Sequence, residues 1–207
     1  MPNPWLTVPL ADYEEHMKST KVQQLAALSE LFAKALAYCR PASAAVLGIA
    51  GGNGLDQIDA TITNRVVGLD INASYLDAVR RRYPLMRGLQ LYCADLAGEI
   101  LDLAPVQLVH AALIFEHAGM SQCLENALSL VADDGSLSAV LQLPSEIEQG
   151  VSPSECSAIQ NLKSHFSLVD RKWFQQTLER RNFGIKEQAQ YSLPAGKGLW
   201  MGIFGRE

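Results

Sequence analysis

The chain has 207 residues, 48% of them hydrophobic, with 17 lysines and arginines against 22 aspartates and glutamates for a net charge of −5. That length suits one domain with a full core, and the acidic balance argues against nucleic acid as the main partner, because phosphate binding needs clustered cations. No run approaches the ~18 apolar residues of a membrane span, and the N-terminus lacks a signal peptide's basic flank and apolar core, so a cytoplasmic protein with no membrane partner is expected.

Residues 1–10 hold three prolines and no periodicity, which predicts an extended arm, and 12–18 form a short predicted helix. From Val22 the apolar residues Leu25, Leu28, Leu31, Phe32, Leu36 and Cys39 keep a helical period until Pro41 stops it. Residues 44–49 read as a strand running into Gly48-Ile49-Ala50-Gly51-Gly52-Asn53-Gly54, followed by a helical pattern with Leu55, Ile58 and Ile62. A glycine turn lets backbone approach a ligand, and a helix starting there would aim unpaired N–H groups at it. A second strand, 65–69, delivers Asp70. Leu76, Val79 and Tyr83 mark the next helix, ended by Pro84, and 89–93 a third strand leading to Asp95, which could cap a following helix.

The fourth strand, 106–113, is almost continuously apolar, as expected when helices cover both faces of a parallel sheet. It runs into Ile114-Phe115-Glu116-His117-Ala118. A helix with Leu124, Leu128 and Val131, the turn Asp133-Asp134-Gly135 and a fifth strand, 136–141, follow. Ser152-Pro153-Ser154-Glu155 is a capping box that predicts a helix towards His165. A last helix, 171–182, precedes strands 183–191 and 199–204, and the connection through 194–198 is so short that only a hairpin fits.

Asp70 lies about 20 residues beyond the glycines, the spacing at which a carboxylate can accept both hydroxyls of a ribose. A dinucleotide-type G-x-G-x-x-G is missing: from Gly48 the other positions hold Ala50 and Asn53, and from Gly52 the third falls on Gln57. The stretch instead resembles motif I of class I S-adenosylmethionine-dependent methyltransferases, spaced G-x-G-x-G, here Gly48, Ala50 and Gly52, with Gly54 following. Residues 70–76 resemble that family's second motif, and the Glu116-His117 pair its pattern after the fourth strand. The resemblance covers roughly 20–207 and is strongest from 44 to 118.

This resemblance implies an α/β fold, a Rossmann-like seven-stranded, mostly parallel sheet with helices on both faces and a C-terminal antiparallel hairpin, in one domain spanning 1–207. It implies S-adenosylmethionine as cofactor, with Gly48, Ala50, Gly52, Asn53, Gly54, Asp70, Ile71, Asp95, Leu96 and Ala112 binding it. One departure stands out: two residues before Gly48 the family usually carries an acidic residue that helps hold the methionine part, and this chain has Val46. Tyr13-Glu14-Glu15-His16-Met17 resembles an element of some bacterial members, so 1–20 is expected to be an arm and lid, and 143–166 an insertion near the substrate pocket.

A sulfonium methyl donor is already activated, so alignment and exclusion of water are the protein's main tasks. If the acceptor is a hydroxyl or protonated amine, a base helps; His117, His16 and Tyr13 are the catalytic candidates, with Glu116 and His110 nearby. The four cysteines, Cys39, Cys93, Cys123 and Cys156, lack ligand spacing, so buried thiols and no metal are expected. Arg80-Arg81-Arg82 and Arg180-Arg181 read as solvated helix faces. Three functions stay open: a methyltransferase acting on a small-molecule acceptor as monomer or homodimer, the same fold kept as a catalytically inactive binding module, and a nucleotide-dependent oxidoreductase.

Overall fold

The computed structural model describes residues 3–20, 22–145, 151–152, 156–193 and 196–207. Strands β1 (Ser43–Leu47), β2 (Arg65–Asp70), β3 (Leu89–Cys93), β4 (Val106–Ala112), β5 (Val131–Leu143), β6 (Phe183–Ser192) and β7 (Gly198–Arg206) form one sheet in the order β3-β2-β1-β4-β5-β7-β6. All pairs are parallel except those that β7 makes with β5 and β6. The expected mostly parallel sheet with an antiparallel closing hairpin is therefore observed. Helices α1 (Leu10–Lys18), α2 (Gln24–Cys39), α3 (Ala73–Arg82), α4 (Phe115–Ala118), α5 (Ser121–Ser129), α6 (Ser157–Asn161) and α7 (Arg171–Glu179) complete it.

Alternation along the strands builds two cores. In β1, Ala45 and Leu47 join Phe115, Phe174, Trp200 and Phe204 on one face, while Ala44 and Val46 join Leu31, Phe32, Leu76 and Val79 on the other. With strands buried on both faces, the near-continuous apolar runs of β1, β2 and β4 are what the architecture demands. Strand order reverses between β1 and β4, and the carboxyl ends there are where ligands of open α/β sheets sit.

Four local expectations are corrected. After the glycine turn there is only a single 3-10 turn, Leu55–Gln57, so no helix N-terminus faces a ligand there. Asp59 accepts hydrogen bonds from both the amide and the hydroxyl of Thr61, and Ile58, Thr61, Ile62 and Thr63 are β-branched; both features compete with helix. Asp95 caps no helix either: its carbonyl accepts from Gly98 and Glu99 in one turn. The turn Asp133-Asp134-Gly135 lies within β5 as a bulge, where the register against β4 shifts between Val106 and Leu108. The amino-terminal arm is not extended but coils into a 3-10 turn, Pro4–Leu6, capped by the Asn3 side chain, before α1 starts at Leu10.

Buried thiols are likewise only part of the outcome, because Cys123 is buried, Cys39 and Cys156 are half-buried and Cys93 is exposed on the edge strand β3. The proposed capping box falls partly on Pro153, Ser154 and Glu155, and the hairpin connection partly on Pro194 and Ala195, all outside the described residues. The helix that follows begins at Ser157.

Without a helix, the crossover from β3 to β4 needs other partners for its backbone. Asn126 of α5, buried, supplies them: Oδ1 accepts from the Leu101 amide, and Nδ2 donates to the carbonyls of Leu96 and Glu99 at 3.1 and 2.7 Å. This crossover carries Asp95 and Leu96. Asn126→Ala would strand three backbone groups, at ~1 to 3 kcal/mol for each that water cannot reach, so urea unfolding should show a loss of about 2 to 4 kcal/mol. A loss well under about 1 kcal/mol would mean the crossover is held by something else.

Candidate functional site

A cavity of about 130 Å3 lies at the carboxyl ends of β1, β2 and β4. Its floor begins at the glycine turn, where Gly48 and Gly52 have φ of +68° and +85°, conformations that favour glycine. A Cβ on Gly48 would come within 2.9 Å of Ile114 Cδ1, and one on Gly52 within 2.7 Å of the Tyr83 ring. Ala50, at the middle glycine position of the motif, also takes a left-handed φ of +46°, which costs roughly 1 to 2 kcal/mol in a non-glycine residue. The hydrogen bond that its amide donates to Asp70 Oδ2 at 2.8 Å offsets that cost.

Asp70 is the hub of the site. Its other oxygen, Oδ1, accepts from the Asn72 amide at 2.9 Å, and the Asn72 side chain in turn caps α3 and donates to the Trp5 carbonyl at 2.8 Å. Asp70 is 7% exposed. Burial raises its pKa, against the opposing pull of the backbone donors at Asn72, Ala50 and Ile71.

The amino-terminal segment closes one side. Glu14 of α1 pairs with Arg82, whose guanidinium also donates to the Gly51 carbonyl at 2.9 Å. Trp5 packs edge-on against both Tyr13 and His117, and Tyr13 stacks on Tyr75. Tyr75 donates its hydroxyl proton to the Val8 carbonyl at 2.9 Å. Burial, with the charge of Asp70 adding to it, raises the pKa of the Tyr13 phenol. Tyr13 is therefore protonated at neutral pH.

No family model and no curated protein matches this sequence. Solved structures do match its fold. N-methyltransferase NodS from Bradyrhizobium japonicum WM9, in complex with S-adenosyl-L-homocysteine, is 15% identical with a TM-score of 0.62, over 100% of this chain and 93% of that one. A TehB-like SAM-dependent methyltransferase from Corynebacterium glutamicum is 13% identical, TM-score 0.61, over 96% and 98%. Magnesium protoporphyrin IX methyltransferase from Synechocystis PCC 6803, with bound SAM, is 12% identical, TM-score 0.61, over 94% and 82%. The fold is that of the class I S-adenosylmethionine-dependent methyltransferases.

On this methyltransferase fold the motif residues divide. Gly48, Ala50, Asp70, Ile71, Asp95, Leu96 and Ala112 all line the cavity, together with Tyr13, His16 and His117. Gly52, Asn53 and Gly54 do not: Gly52 packs on Tyr83, Gly54 on Phe32, and the Asn53 side chain donates to the Leu25 carbonyl. They shape the turn and dock it on its neighbours. Val46 borders a smaller cavity of about 50 Å3 behind the turn, with Leu28, Phe32 and His110, and the carboxyl-bearing residue there is Glu14 from α1. His110 is buried between strands, bonded to Ser138 and stacked on Phe32, and burial lowers its pKa to about 3. It lines the smaller cavity and not the main one.

Several lining residues carried no signal in the sequence: Trp5, Gln24, Gln142, Phe166 and Lys197. They come from five separate segments that only tertiary folding brings together. Buried Lys197 donates to Ser152 at 2.7 Å, and Gln24 donates to Gln142 at 3.4 Å, so one end of the cavity is polar. The described part of 143–166 contributes Val151, Ser152, Ile159 and Leu162 to the wall.

Glu116 is not part of the lining. It is 2% exposed, with Oε1 accepting from the Gln142 amide at 2.8 Å and Oε2 lacking a partner among the described residues. Burial, outweighing the backbone donors, raises its pKa to about 7. The sign follows from proton binding: between the ordinary value of 4.5 and about 7 the folded state holds more protons than the unfolded one, so Glu116 makes stability fall as pH rises through that window. Burial of His117 and His110 acts oppositely, raising stability from their lowered values, about 4 and about 3, up to 6.5. Glu116→Gln should remove the first trend alone. Relative to the parent, the variant should gain about 2 to 3 kcal/mol in urea unfolding between pH 5 and pH 8; an unchanged difference would show that Glu116 titrates normally.

Proposed function

We propose that the protein is an S-adenosylmethionine-dependent methyltransferase acting on a small molecule. The observation that carries this reading is the buried Asp70 carboxylate at the end of β2, hydrogen-bonded to the glycine turn and lining the cavity beside the point where strand order reverses. A carboxylate has about four acceptor sites, and its backbone donors leave capacity for a ribose hydroxyl. Gly48 meets Ile114 so closely that a side chain would fill the cradle. The residues present therefore fit the cofactor: Asp70 for the ribose, Asp95 and Leu96 beside the adenine, and Gly48, Ala50 and Ala112 along the methionine part.

When bound, the cofactor supplies an activated methyl group on a cationic sulfur. What the chain adds is position and dryness: Trp5, Tyr13, His16 and Met17 on the amino-terminal segment cover the cavity that the strand ends open. Glu14 and Arg82 hold that segment as a lid against the glycine turn, and its opening would admit ligands before water is excluded. His117 is the group placed to accept a proton, since burial, helped by repulsion from His165, lowers its pKa to about 4 and keeps it neutral at pH 7.

A second reading, a binding module without catalysis, is favoured by Val46, which removes the acidic residue usual at that position. Titration calorimetry with S-adenosylmethionine, S-adenosylhomocysteine and NAD side by side separates the oxidoreductase from both. Micromolar binding of the first two and none of NAD is expected. Asp70→Asn keeps the size of the side chain but loses a charge-assisted hydrogen bond worth about 1.5 to 3 kcal/mol, so it should weaken that binding about 10- to 100-fold while leaving a folded protein by thermal melt. Unchanged affinity would remove Asp70 from the site.

A further inference from the structure

Two buried polar atoms beside the cavity have no hydrogen-bond partner among the described residues, Trp5 Nε1 and His117 Nδ1. Their rings are neighbours, with centroids 4.9 Å apart and planes at 90°, and both residues line the cavity. A buried polar atom without a partner costs about 1 to 3 kcal/mol, and such groups in a native protein call for an explanation. Two on adjoining rings of one cavity mark a place suited to a ligand's polar group.

The chemistry of the two atoms restricts that group. An indole N–H only donates, whereas a neutral imidazole carries one nitrogen that accepts. A group that accepts from the first and donates to the second satisfies both, and a hydroxyl does so with a single oxygen. An ammonium has no lone pair to offer Trp5. A carboxylate has no proton to give His117, and its charge would share the cavity with Asp70 and Asp95.

Around this place the walls are rings and aliphatic chains. Phe166 lies edge-on to His117 at 5.2 Å, Trp5 lies edge-on to Tyr13 at 5.6 Å, and Ile159 and Leu162 close the side. Edge-to-face and offset contacts are the arrangements in which a flat ring packs well.

Resting on the methyltransferase reading above, we propose that the acceptor is a small phenol whose hydroxyl lies between Trp5 and His117, and that His117 takes its proton as the methyl group arrives. The new bond forms between the phenol oxygen and the methyl carbon. The bond from that carbon to the donor's sulfonium sulfur breaks, and its electron pair stays on sulfur, which becomes neutral. The hydroxyl proton passes to the imidazole and then to water. A weak base suffices, because the oxygen becomes strongly acidic once the new bond begins to form. Trp5 orients the oxygen through its N–H and rides on the segment that closes the cavity.

The test is binding of 4-nitrophenol to protein saturated with S-adenosylhomocysteine, at a pH near 6 where the probe keeps its proton, read by absorbance and by calorimetry. Two controls share its ring and nitro group: 4-nitroanisole, which has no proton to donate, and 4-nitroaniline, whose nitrogen is a poor acceptor. The expected order is 4-nitrophenol tighter than either control by at least about tenfold, the worth of one hydrogen bond to a buried group. Trp5→Phe and His117→Ala should each reduce the preference for the phenol over the anisole by about tenfold, with S-adenosylhomocysteine affinity within a factor of about three of the parent. Equal binding of phenol and anisole, equal or tighter binding of the aniline, or no binding of 4-nitrophenol overturns the proposal. The first step of the same experiment, saturation with S-adenosylhomocysteine, fails only if the methyltransferase reading itself is wrong. The comparison among probes uses the parent protein, so it stands even if a variant does not fold.

Discussion

The Asp70 carboxylate, shared between the amides of Ala50 and Asn72, is the interaction on which the rest of the site depends. Through Ala50 it fixes the glycine turn, and through Asn72 it fixes the start of α3, whose far end brings Arg82 and Tyr83 back against Gly51 and Gly52. Asn72 also holds the Trp5 carbonyl. One buried acid thus ties together the end of β2, the turn after β1, a helix and the amino-terminal segment. Its burial would be costly without those donors, and Ala50 would be strained without that acceptor.

Substitution of alanine for the middle glycine of the motif and of valine for the usual acid gives the turn an unusual balance. The left-handed Ala50 is stabilised by Asp70, and the small cavity behind Val46 is bordered by Leu28, Phe32 and the stacked His110. Glu14, reaching in from α1, then supplies the acidic charge beside the turn, paired with Arg82. Such a pair at the surface is worth little by its charge alone; its value here lies in geometry, since Arg82 bonds the turn and the covering helix at once.

Much of the fold could be read in the sequence because period and punctuation are local properties. The strand at 89–93 has the bounds expected, and the Pro84 and Pro41 stops lie just beyond the ends of α3 and α2. Expectations failed where side chains compete with the backbone: Asp59 captures Thr61, and no helix follows the glycines. They failed again at Asp133-Asp134-Gly135, because a bulge within a strand and a turn between elements use the same residues. At the site, the residues tied to a motif were legible, and those gathered by tertiary folding were not. Arg82 shows the limit well: in sequence it belongs to a solvated basic run, and in the fold it is a clamp.

The central claim is that the glycine turn, Asp70 and the amino-terminal segment form one cofactor-binding unit, and amide hydrogen exchange with and without S-adenosylhomocysteine tests it most directly. Protection should rise in three separated stretches together, residues 48–52, 70–75 and 10–17, because a ligand that bridges them suppresses the opening of each. Protection confined to other segments, or absent from all three at saturating ligand, would contradict it.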